Sequence, residues 1–108
     1  MEIGSSLRHD VADLLPDAVI VVDPELHMRW ANQAAGELLG IPVEEAVGFS
    51  GLDFVHPDDI SLAAVSLSAM RHKDVGSPIE VRIRAAGGWR LVEVVGRITD
   101  DGLVLCLR

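Results

Sequence analysis

Apolar and polar positions along this chain change period twice, and the changes mark out its elements. Ile79, Val81 and Ile83 alternate with Glu80, Arg82 and Arg84, the period of a half-buried strand. Gly87-Gly88 and Asp101-Gly102 are turn signals, so Trp89 to Ile98 runs back beside that strand and Leu103 to Leu107 closes the chain. Upstream, Ala18 to Asp23 is a nearly unbroken apolar run stopped by Asp23-Pro24, and His27 to Ala31 is its partner. Five strands result, two before the helices and three after. The first and last are apolar on both sides, as central strands are, and the third is half polar, as an edge strand is.

Between the two strand groups the period becomes helical. Asn32 has the side chain to accept a bond from an exposed helical N–H, and Leu38-Leu39-Gly40 ends the run where glycine takes the left-handed conformation. Ile41 to Gly48 predicts a single helical turn. Leu52 to Val55 offers apolar side chains to the core, and His56-Pro57-Asp58-Asp59 opens the longest helix, ending around Asp74 to Gly76, with proline and two acids in its first turn. At the N-terminus, Ser5 or Ser6 caps a helix to about Leu15 whose stripe is Ile3, Leu7, Val11 and Leu14. The expected fold class is α+β: a five-stranded antiparallel sheet, first and fifth strands side by side at its centre, helices on one face. Residues 1–15 form the amphipathic helix and residues 16–108 the domain proper.

Alternation also assigns faces. Ile20, Val22, Val92, Val94 and Leu105 turn toward the helices and, with Leu38, Ile60 and Leu67, are the candidates for lining a cavity there. Arg90 falls on the same side at the start of its strand. The preferred expectation is that it snorkels to solvent; the alternative is that it holds a carboxylate at the cavity mouth. Val19, Val21, Trp89, Leu91 and Val95 face away, leaving an outer face too apolar for water. Either the N-terminal helix covers it or a second copy does, and the stripe and outer face together are the candidate dimer interface.

Composition sharpens this little. The net charge of −8 lacks the basic footprint that nucleic acid needs. Through Met70 there are twelve acids against Arg8 and Arg29, whereas the remainder carries seven Lys or Arg against five acids, an asymmetry that could orient a partner. No apolar run approaches the roughly 20 residues that cross a bilayer, and Met-Glu-Ile-Gly-Ser-Ser is not a signal peptide, so no membrane association and a cytoplasmic location are expected. Cys106 is the lone cysteine and is expected to be a buried thiol.

Pro16-Asp17-Ala18, Val22-Asp23, Ala31-Asn32-Gln33-Ala34-Ala35, Leu38-Leu39-Gly40, Val47-Gly48, Val55-His56-Pro57-Asp58-Asp59 and Gly88-Trp89-Arg90, in that order and spacing, resemble the PAS sensor domain family over Leu14 to Leu107. The first turn, Pro24-Glu25-Leu26-His27, departs by lacking the glycine many members carry. The resemblance implies a regulatory or sensory module of a larger signalling protein, a homodimer, with a covalently linked output domain beyond Arg108. It also frames the cofactor question. The cysteine of flavin-binding members is missing from Gly48 to Asp53, as is the helical cysteine of the yellow-protein type. The histidine by which haem-binding members ligate iron would have to be His72, near the helix end, or His56. No cofactor is expected, haem and flavin included.

His56, Asp58 and Asp59 are expected to start a helix rather than bind metal, Asp23 to close a turn and Asn32 to cap. No nucleophile motif or phosphate loop appears, so no catalysis is expected.

Overall fold

The structure is a computed structural model that describes residues 17–70, 78–100 and 102–108. The N-terminal helix with Ile3, Leu7, Val11 and Leu14, the stretch about His72 and the expected end of the long helix lie outside the described residues.

Strands β1 (Ala18–Val22), β2 (Met28–Ala31), β3 (Ile79–Ala85), β4 (Gly88–Thr99) and β5 (Gly102–Leu107) form one antiparallel sheet in the order β2-β1-β5-β4-β3. The apolar first and last strands are adjacent, paired from Ala18 with Leu107 to Val22 with Leu103, and half-polar β3 is at an edge, as the patterning predicts. Helices α1 (Gln33–Leu39), α2 (Val43–Ala46) and α3 (Ile60–Ala69) lie between the strand groups, with 3₁₀ turns at Gly51–Phe54 and Pro57–Asp59. The long helix thus begins as a 3₁₀ turn. His56 Nδ1 accepts from the Asp58 N–H at 3.1 Å, so the histidine serves as its cap.

Residues 48–59 organise the face that carries the helices. Met28 and Phe49 exchange a 2.8 Å bond with the Phe49 carbonyl accepting, and Gly48 and Gly51 donate to Met28 and Leu26, so this segment covers the free edge of β2. Further on, Val55 bridges to Ile83 and His56 donates to the Arg82 carbonyl at 2.8 Å, covering the edge of β3. Both edges, which would otherwise present unpaired N–H and C=O groups, are closed by one stretch that crosses the sheet.

The core follows the predicted alternation. Ala18, Ile20 and Val22 of β1 pack with Ala35 and Leu39 of α1 and with Val81, Ile83, Val92, Leu103 and Leu107. Asn32 is fully buried: its Oδ1 accepts from Val19 at 2.9 Å and from Ala35 at 3.0 Å, and its Nδ2 donates to the Asp17 carbonyl at 2.9 Å. One side chain therefore caps α1 and pins it to the start of β1. The first turn solves its missing glycine locally. Leu26 itself takes φ 71°, and Asp23 Oδ1 accepts from the N–H groups of Glu25 and His27 at 3.0 and 2.9 Å.

Candidate functional site

Four small residues, Gly51, Ala63, Ser66 and Gly96, leave a cavity of about 110 Å³ between sheet and helices. Its floor is Val22 of β1, Leu103 and Leu105 of β5, Val94 of β4 and Ile79 and Val81 of β3; Leu26, Leu52 and Val55 form its sides, and Leu67 and Met70 close it from α3 and just beyond. Among the described residues Ser66 is the only polar side chain in the lining. A second, more open space of about 450 Å³ shares Leu26, Leu52, Leu67, Met70 and Leu103 with it, and runs outward between α3 and the β4–β5 turn, past Asp23, Ser68, Thr99 and Asp100. The two spaces adjoin across these shared walls, and the outer one is termed the mouth.

Of the residues that alternation nominated, Val22, Leu67, Val94 and Leu105 line the cavity. Ile20 does not; it is buried in the core instead. Val92, Leu38 and Arg90 lie at the other end of the sheet, in a shallow groove with Asp17, Glu37 and Arg108, and Arg90 is exposed there. Ile60 turns outward, 37% exposed. Alternation names the side of a sheet, but not the position along it. The nominations missed Leu26, Gly51, Leu52, Val55 and Gly96, whose signal was available: glycines among apolar residues mark close approach or vacant space.

On the outer face, register sets Val21 beside Val104 and Val19 beside Cys106, which in turn pairs with Val95. Trp89 and Leu91 share that face by alternation and are 46% and 58% exposed. His56 stacks on Trp89, ring centroids 4.6 Å apart, and Arg84 lies 5.8 Å over the same indole. His56 therefore reaches the outer face and does not line the cavity.

Electrostatics mark structural joints. Hydrogen bonds from the Arg82 side chain and backbone outweigh the cost of burial and hold the Asp59 carboxyl down at about 2. At Asp23 burial pushes the carboxyl upward, but the backbone N–H groups of His27 and Glu25, aided by the charges of His27 and Arg29, leave it below its ordinary value. Asp23, Glu25 and His27 offer ligand atoms within 4.8 Å of one another. Asp23 Oδ1 already holds the turn, however, and Arg29 Nε lies 4.0 Å from its other oxygen, so the trio is accounted for by turn closure.

The family model for the PAS fold matches residues 7–107, and the chain belongs to the PAS family. Among solved structures it is similar to the PAS domain of a protein from Colwellia psychrerythraea (20% identity, TM-score 0.83, covering 95% of this chain and 93% of that one). It is also similar to a PAS domain from a two-component sensor histidine kinase (16%, 0.81, 99% and 96%). A third is the PAS domain of the Cronobacter turicensis RpfR quorum-sensing receptor, in complex with BDSF (17%, 0.73, 86% and 91%). At these identities the likeness is one of fold. A comparison with curated proteins finds no significant match. Among the described residues no helix is long and apolar enough to cross a membrane.

Proposed function

We propose that this PAS domain is the regulatory sensor module of a larger signal-transduction protein and that it acts as a homodimer, relaying a signal to a covalently linked output domain without catalysis of its own. The observation that carries the dimer is the outer sheet face. Val21, Val104, Val19, Cys106 and Val95 form a continuous apolar floor by register, and Leu91 and Trp89 extend it into solvent. Contiguous apolar surface of this character is what soluble proteins bury against a partner. Two copies meeting across it would place their sheets back to back. Among the described residues Ser50 Oγ accepts from the Leu52 N–H and Cys106 Sγ lies 3.9 Å from Asp17. A Leu91→Glu variant tests the reading by sedimentation. The parent is expected to sediment as a dimer and the variant as a monomer; a monomeric parent at high concentration overturns it.

A second reading, small-molecule sensing, is favoured by the cavity itself, since an apolar space of this size is a ligand site more readily than a water site. Among the described residues the lining, around about 110 Å³, carries no histidine or cysteine, which weighs against haem and flavin. A melting-temperature shift with small apolar molecules supports this reading; none with any of them ends it.

A further inference from the structure

The cavity and its mouth differ in chemistry, and the difference selects a ligand. An engineered apolar cavity of about 150 Å³ stays dry and accepts benzene; the cavity under α3, at about 110 Å³, has room for a few carbon atoms. Among the described residues its lining carries no charge, and Ser66 supplies the only side-chain hydroxyl. A charged group placed there would be buried without a partner, at a cost that only ion pairing offsets. A ligand's polar end must therefore lie in the mouth.

Among the described residues the mouth is acidic and hydroxylated. Asp23 and Asp100 flank it, with Ser68 and Thr99 between. Arg29 stands 4.0 Å from the Asp23 carboxylate and offsets its charge, whereas among the described residues Asp100 has no such neighbour. Arg90, the residue that could have held an anion, lies in the groove at the far end of the sheet. The chain's net charge of −8 repels anions further.

We infer that the cavity takes a small aliphatic molecule inserted tail first, whose polar head, an alcohol or an amine and not a carboxylate, sits in the mouth beside Thr99, Ser68 and Asp100. This rests on the sensing reading above and adds the head group. The hydroxyls can donate and accept with an alcohol, and the carboxylate of Asp100 attracts an ammonium, while a carboxylate head meets like charge.

The test compares hexanol, hexylamine and hexanoate, which share one tail, at neutral pH with the 108-residue chain, by melting temperature and by amide shifts of Leu67, Met70, Thr99 and Leu103. The expected result is binding of the alcohol and the amine, with hexanoate at least tenfold weaker. In Asp100→Lys, hexanoate is expected to gain at least tenfold and hexylamine to lose, and in Ser66→Leu all three are expected to lose binding because the tail site is filled. Hexanoate binding as tightly as hexanol overturns the head-group inference while leaving sensing intact, and so does an Asp100→Lys variant with unchanged preferences. No binding by any of the three removes the sensing reading itself.

Discussion

Asp59 and Arg82 are bound three times over. The Asp59 carboxylate accepts from the Arg82 backbone N–H at 2.7 Å, from Nε at 3.0 Å and from Nη2 at 2.9 Å. The first bond satisfies an N–H on the free edge of β3, and the other two fix the side chain that projects from the same residue. With His56 donating to the Arg82 carbonyl, the Pro-Asp-Asp turn is stitched to the sheet edge on both sides of one residue, and this sets where α3 begins and how it lies over the cavity.

The pH dependence of that joint has a definite sign. Asp59 has its folded pKa lowered from 3.8 to about 2, so its contribution is fully present above pH about 4 and is lost as pH falls from there through about 2. The carboxyl carbon of Asp59, followed by NMR, is expected to titrate near 2. Asp59→Asn is expected to be less stable at neutral pH and to show a flatter fall in melting temperature between pH 4 and 2; a parent-like slope would contradict the assignment.

Asn32→Ala removes the acceptor of two buried N–H groups and the donor to Asp17 in one step. Losing a cap and orphaning the Val19 N–H together should cost about 2–3 kcal/mol. Urea unfolding should show this as a lower midpoint with an unchanged slope.

Gly102 and Gly87 both have positive φ, 144° and 86°, yet their substitutions should differ. A Cβ on Gly102 would strike the Val22 carbonyl and come within 2.9 Å of Asp23 Cα, while one on Gly87 meets nothing within 4 Å. Gly102→Ala should therefore cost about 3 kcal/mol or more, and Gly87→Ala about 1 kcal/mol. Equal losses on unfolding would refute the close approach.

Gly96→Ala tests the cavity from the sheet side. The new Cβ would lie 3.1 Å from Leu105 Cδ2, 3.3 Å from Met70 Cε and 3.4 Å from Leu103 Cδ1, all ends of flexible side chains beside vacant space. They can give way into the cavity, so the gain in backbone entropy, up to about 1 kcal/mol, should appear as a modest rise in melting temperature. A fall of several degrees would mean the space is already filled.

How much of this was legible depends on the range of each interaction. Asn32 and Gly40 announce themselves because capping is local: the bond to Ala35 spans three residues, and Gly40 takes φ 74° where a helix ends. The central position of β1 and β5 was legible because a strand buried on both sides has no polar alternation. The cavity was legible only as a side. Val22, Leu67, Val94 and Leu105 line it, but Ile20, Ile60, Leu38, Val92 and Arg90 share their pattern and lie elsewhere.

The sequence by itself determined the elements, their order, the strand at the centre and the residues that join them, because periodicity, turns and caps act within a few positions. Only the tertiary structure decided where residues 48–59 cross the sheet, that Leu26 assumes the conformation usually left to glycine, and that Gly51, Ala63, Ser66 and Gly96 meet around one space. Vacant volume is what separate segments leave between them, and no local pattern encodes it.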